Sequence, residues 1–246
     1  MTRICRVVVF CLAFHGLLHA DTINTSNAAA VAAFQSGATV INFDSIAGRT
    51  PQTITSYTAG NPVSPTAFIS NQISGVQFSV GGSPATNQPA LYSLSGAIAG
   101  DAKSLPTVLG PVDFDFTTKF NSSALIEIFF PTKVSKVGFW LNPALGNVLL
   151  IAADTNFAFS GLNETQLETL SPATAGNFVG ISRPTADIGG FKVIALGTTG
   201  FTLDDFTFDG GGTTPTVPES SSLVLLISGL VVCGVLVATR GRASST

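Results

Sequence analysis

Between Asp21 and Thr216 this 246-residue chain has no cysteine and no histidine. Cys5, Cys11, His15 and His19 precede that stretch, and Cys233 follows it. A disulfide framework in the body is therefore excluded. Zinc centres built on Cys or His are excluded, and so are Ser-His-Asp and Cys-His nucleophilic machinery. Charge is scarce as well: Asp, Glu, Lys and Arg make up 10% of the chain. Thirteen of the 14 acids and seven of the 11 bases fall in the body, which gives it a net charge of −6. A protein of that balance lacks the basic footprint of a nucleic-acid binder. Carboxylates, Lys, Arg, Tyr and hydroxyls are what remains for chemistry.

The long apolar runs sit at the two ends. Arg3 and Arg6 form a positive n-region, Val7 to Leu18 an apolar h-region, and Ala20 a small residue before Asp21. Residues 1–20 read as a secretory signal peptide cleaved between Ala20 and Asp21, because the apolar stretch is too short to span a bilayer. An N-terminal core strand is the alternative. At the other end Leu223 to Ala238 is an apolar run of 16 residues. At 1.5 Å per residue it reaches about 24 Å, against a hydrocarbon core of ~30 Å. Thr239 and a snorkelling Arg240 extend it to a transmembrane helix over 223–239. Arg240 and Arg242 put this end in the cytoplasm, so the body lies on the far side of the membrane. The alternative, a buried core helix, calls for an amphipathic pattern that this run lacks.

Val217-Pro218-Glu219, the serines that follow, the apolar segment and the terminal arginines together resemble the PEP-CTERM sorting signal of Gram-negative bacteria. Pro218 and Glu219 match the family pattern; Ser220 stands where the family carries a second proline. The resemblance implies that an exosortase, a membrane cysteine peptidase, recognises the tail and cleaves near Pro218. It also implies release to the cell surface or into an exopolysaccharide matrix. A plain single-span anchor is the alternative.

The body is punctuated by Gly, Pro, Ser, Thr and Asn, which separate short runs rich in Val, Ile and Phe. That pattern predicts an all-β domain. One short helix is expected over Ala28 to Phe34, capped by Ser26 or Asn27 and stopped at Gly37, with Val31 and Phe34 on one face. Strands are expected at Thr39 to Phe43, Val76 to Val80, Asp113 to Phe116, Val148 to Ala153, Phe157 to Phe159, Asn177 to Ile181, Phe191 to Leu196 and Phe201 to Phe208. Leu125 to Phe130 and Val134 to Leu141 read as a hairpin around Pro131-Thr132-Lys133. Residues 46–71 and 81–87 read as loops. Turn signals spaced by about ten residues favour an antiparallel β-sandwich over a βαβ fold. The expected organisation is a signal peptide (1–20), a β-sandwich (21–209), a linker (210–216) and the sorting tail (217–246).

The body also resembles a group of exported β-sandwich domains that precede PEP-CTERM tails. The resemblance is carried by Phe34 before Ile41-Asn42-Phe43-Asp44, then Gly75-Val76-Gln77-Phe78, Val137-Gly138-Phe139 and Phe201-Thr202-Leu203-Asp204-Asp205-Phe206-Thr207-Phe208. It implies a jelly-roll-like sandwich and no settled biochemical role.

Candidate sites are few. Phe201 and Leu203 share one parity, Phe206 and Phe208 the other, so a regular strand cannot bury both pairs on one face. A one-residue bulge at Asp204-Asp205 resolves the conflict and re-aims a carboxylate. Asp44 ends the first strand, and first and last strands are neighbours in jelly rolls. Asp44, Asp204 and Asp205 are thus candidate Ca²⁺ ligands, the alternative being strand-end and bulge acids bonded to backbone or solvent. Trp140 alternates against Val137, Phe139 and Leu141, so it faces away from their side. It is either a sugar-stacking platform or buried, under a loop or in a second core layer. Asp113 and Asp115 share a strand face about 7 Å apart, a spacing available to a glycosidase pair, yet acids flanking phenylalanines are the ordinary outer face of a strand. The expected function is that of an exported, non-enzymatic surface or matrix protein associated with exopolysaccharide and biofilm. The alternatives are a carbohydrate- or calcium-binding module on a plain anchor, and a carboxylate-only hydrolase.

Overall fold

A computed structural model describes residues 20–57, 63–81, 87–112, 125–156, 160–197 and 200–209. The signal peptide before Ala20, Asp113 and Asp115, Phe157 to Phe159, the linker and the sorting tail lie outside the described residues. The chain divides into two compact units, Met1–Gly212 and Thr213–Thr246, and every described residue belongs to the first. Among the described residues no helix is long and apolar enough to cross a membrane.

Among the described residues, alternating Val, Ile, Leu and Phe build thirteen strands that form two sheets. The larger sheet contains β1 (Asp21–Thr25), β2 (Thr39–Ile41), β3 (Gln52–Ile54), β5 (Ala90–Leu94), β6 (Thr107–Gly110), β8 (Lys136–Leu141), β11 (Phe178–Ser182) and β13 (Leu203–Phe208). Its order is β1-β11-β8-β13-β6-β5-β3, with β2 also paired to β13. The smaller sheet contains β4 (Gln77–Ser79), β7 (Leu125–Val134), β9 (Val148–Ala153), β10 (Gln166–Ala173) and β12 (Ile188–Ala195), in the order β10-β9-β12-β7-β4. From β6 to β13 the chain passes between the sheets at every step except the paired β9 and β10, so that β6-β13-β8-β11 faces β7-β12-β9-β10. That is the winding of a jelly roll. One pair departs from the antiparallel expectation, since β3 runs parallel to β5.

Ile126, Ile128 and Phe130 of β7 and Phe191 and Val193 of β12 are buried facing Val137, Phe139 and Leu141 of β8. Aromatic rings lock the layers edge to face: Phe139 on Phe191 at 6.4 Å, and Phe78 on Phe206 at 5.6 Å. Such pairs add ~0.5–1.5 kcal/mol beyond their burial.

The predicted hairpin between β7 and β8 does not form. The two strands are consecutive in sequence but lie in different sheets, and the crossing occurs at Ser135. Asp209, just past β13, holds this corner. Its carboxylate accepts bonds from Ser135 N (2.7 Å), Ser135 Oγ and Lys136 N (3.2 Å). The Pro-Thr-Lys stretch read as a turn is instead part of a ten-residue strand. The expected loop over 46–71 contains β3 and a 3₁₀ turn at Pro65–Ala67.

The first predicted strand ends early. Phe43 has φ 62°, a left-handed backbone that turns its ring into the core. The helix α1 (Ala28–Gln35) forms as expected, with the Asn27 side chain accepting from Ala29 N and Ala30 N. It lies against the outer face of the larger sheet, where Phe34 stacks edge to face on Phe178 at 5.3 Å. Gly138 and Gly180 make room for it, because a Cβ on either would meet Phe34 at 2.9 and 3.0 Å.

Candidate binding cavity

The parity conflict in the last strand is resolved as predicted. Asp204 pairs with Trp140 and Thr207 with Gly138, so Asp205 and Phe206 together oppose the single residue Phe139. Asp205 takes φ 46°. Phe201, Leu203, Phe206 and Phe208 are then all buried. The bulge also divides the strand's other edge: Leu203 pairs with β6, whereas Phe206 to Phe208 pair with β2.

On the outer face this register sets Asp204 and Trp140 side by side. The loop that leads into β6 folds over them. Asp204 accepts from Ser104 N at 2.7 Å and Ser104 Oγ at 2.8 Å, and from Asp205 N at 2.7 Å. The same loop carries Lys103, whose ammonium sits 4.3 Å from the centre of the Trp140 ring. Asp101 accepts from the Tyr57 hydroxyl at 2.9 Å, and that hydroxyl accepts from Asn142 Nδ2 at 2.5 Å. Between these groups is a cavity of about 270 Å³, lined among others by Asp101, Lys103, Trp140, Asn142, Thr202 and Asp204.

Trp140 is only 9% exposed. It packs with Val31, Phe178 and Phe34 in a second apolar cluster under α1, its ring edge to face on Phe178 at 5.8 Å. The predicted outward orientation is right. The open stacking platform is not: α1 covers one side, and Lys103 lies over the ring. What Trp140 offers is part of a cavity wall.

The carboxylates predicted to gather around calcium are placed as follows. Asp44 Oδ1 accepts from Thr107 N at 3.0 Å, while Asp204 holds Ser104. The two acids therefore pin two points of one segment, Ser104 to Thr107. Asp205 is half-buried at the bulge. Among the described residues no group of three or more His, Cys, Asp or Glu is arranged to hold a metal ion. Glu127 pairs with Lys192 at 3.4 Å on the outer side of the smaller sheet, where Lys192 also reaches Glu164 at 2.6 Å.

Burial pushes the Asp204 carboxyl up from its ordinary 3.8 to about 6. The two bonds from Ser104 pull it back, the Asp205 carboxylate adds to the rise, and the Asp205 N–H opposes it. Burial also raises the Tyr57 hydroxyl, against the bond from Asn142 and with help from Asp101. For Asp204 the folded-state pKa exceeds the unfolded one. Its contribution to stability is thus full below about pH 4 and is lost as pH rises through about 6. Trp140 is the sole tryptophan and stands directly across from Asp204. Its fluorescence is expected to titrate with a midpoint near pH 6, a transition that Asp204→Asn removes. A flat profile across that range would contradict the assignment.

Tyr57, Asp101, Lys103 and Asn142 carried no signal in the sequence. The Tyr57 bonds span 44 and 85 residues, and the loop bearing Asp101 and Lys103 has no periodicity.

The fold and the site define a jelly-roll β-sandwich with a small polar cavity on the outer face of its larger sheet. No protein-family model and no curated protein matches the chain. Among solved structures it is similar to a structure of the CBM32-1, CBM32-2 and M60 catalytic domains from Clostridium perfringens ZmpB, with 11% identity and a TM-score of 0.37. That likeness covers 78% of this chain, which spans 17% of the other. TmCBM61 in complex with beta-1,4-galactotriose gives 14% identity and a TM-score of 0.26, over 55% of this chain and 88% of that one. The enzymatically active domain of bacteriophage CBA120 tailspike protein 4 gives 14% and 0.28, over 59% and 22%. Likenesses this slight carry no argument about function.

Proposed function

We propose that the chain is an exported, non-enzymatic surface or extracellular-matrix protein of a Gram-negative bacterium, delivered by its C-terminal tail and associated with exopolysaccharide. The observation that carries this reading is the order of parts in the tail: Pro218-Glu219, the apolar segment, then Arg240 and Arg242. The signal peptide ending at Ala20 supplies the matching export step. The body supports it as well, since Asp44, Asp204 and Asp209 are employed in holding loops and a sheet crossing. Exosortase is the expected processing partner. Expression with an exosortase should yield a product shortened by cleavage near Pro218, and expression without it the longer anchored form. Products of identical size in the two hosts would refute the sorting step and leave a plain membrane anchor.

The cavity favours a second reading, in which the body is a binding module for a small hydroxylated or ionic ligand. Carbohydrate and Ca²⁺ are the ligands to test. The two readings are compatible, because sorting rests on the tail and binding on the body.

A further inference from the structure

We propose that the cavity beside Trp140 takes one neutral sugar ring, such as a single residue of a polysaccharide. This rests on the reading of the body as a binding module and commits it to a ligand class. Size is the first argument. Sites for drug-sized ligands occupy roughly 300–1,000 Å³, and this cavity of about 270 Å³ suits one ring rather than an extended chain.

Lining chemistry is the second. Trp140 and Pro143 supply apolar wall, against which the C–H faces of a pyranose pack. Polar capacity remains at Asp101, Lys103 and Asn142, beside the Thr202 hydroxyl, which is buried and has no partner among the described residues. Asp101 uses Oδ2 for Tyr57, and among the described residues its Oδ1 accepts no bond. Lys103 keeps its ammonium protons, since its contact with Trp140 is through the ring face. Asn142 has one Nδ2 proton beyond the bond to Tyr57. One acceptor and two donors suit adjacent hydroxyls, each of which both donates and accepts. Asp204 is already committed, accepting three bonds from Ser104 and Asp205.

Charge is the third. Asp101 and Asp204 both line the cavity and repel an anionic sugar. The ammonium of Lys103 already occupies the position over Trp140 that a cationic ligand would seek. A neutral ring faces neither obstacle.

The test uses the full chain in detergent, titrated with methyl glycosides of glucose, galactose and mannose, and with glucuronate and glucosamine. Binding is followed by calorimetry and by saturation-transfer NMR, with a melting curve for every variant. Expected is saturable millimolar binding of at least one neutral glycoside, with glucuronate at least tenfold weaker. Lys103 is exposed, so Lys103→Ala should leave the melting temperature unchanged and weaken binding about tenfold. Asp101→Asn should weaken it similarly. Preference for glucosamine or glucuronate would overturn the neutral-ring assignment while sparing the binding-module reading. Absence of all binding by a folded protein would overturn the neutral-ring assignment together with the carbohydrate form of the binding-module reading. Undiminished binding by the folded Lys103→Ala and Asp101→Asn variants would show that the sugar sits elsewhere.

Discussion

Asp209→Ala should destabilise the domain by about 3–5 kcal/mol, because it strands three donors at ~1–3 kcal/mol for each one left unsatisfied. Asp209 is buried at the end of β13, and its three bonds cross more than seventy residues of sequence to Ser135 and Lys136. Those residues form the step by which the chain leaves one sheet and enters the other. Alanine would leave the buried Ser135 N–H and hydroxyl without their acceptor. At roughly 2–4 °C per kcal/mol for a domain of this size, the melting temperature should fall by about 10 °C or more. Asp209→Asn keeps one acceptor oxygen and should cost less than alanine. Thermal or denaturant unfolding reads both. A loss under about 1 kcal/mol for alanine would show that the corner is held by packing rather than by this carboxylate.

Gly190→Ala should be at least as damaging, and chiefly for steric reasons. A Cβ at that position would lie 2.1 Å from the Thr155 carbonyl oxygen and 2.6 Å from its carbon. Both are backbone atoms, so no side-chain rotation relieves the clash. The strand cannot retreat either, because Gly190 is paired on one side with Ala153 of β9 and on the other with Phe129 of β7. Relief requires breaking a central ladder of the smaller sheet or displacing the segment after β9. Either outcome belongs with substitutions costing more than about 4 kcal/mol, and the variant should fail to accumulate as folded protein. Gly100→Ala is the control, since its Cβ would meet nothing within 4 Å. Equal stability of the Gly190→Ala and wild-type chains in urea titration would contradict the packing described for this strand.

These two residues mark where sequence reading stopped. Asp209 lies one residue past the strand expected over Phe201 to Phe208, and Gly190 one residue before that expected over Phe191 to Leu196, so alternation assigns neither a role. Neither carries a local sign of its partner, because the partners lie 74 residues away for Asp209 and in the segment after β9 for Gly190. The hairpin expected between β7 and β8 fails for the same reason. A short polar interruption between apolar runs looks alike whether the chain turns back on itself or crosses to another layer. Strands β1, β3, β5, β6 and β10 are short or polar enough that alternation did not reveal them.

What the sequence determined by itself was local and periodic. Side chains alternate every residue in a strand, so the clash of parity around Asp204 and Asp205 demanded a bulge, and the structure contains it. The same rule turned Trp140 away from Val137 and Phe139, and helix propensity with an Asn27 cap placed α1. Tertiary structure alone decided that α1 and Lys103 would close over Trp140, and that Tyr57, Asp101 and Asn142 would meet beside it. The pleat dictates which way a side chain points, through steric rules a few residues long. What it points at is chosen by packing of segments far apart in the chain, and no short stretch of sequence encodes that choice.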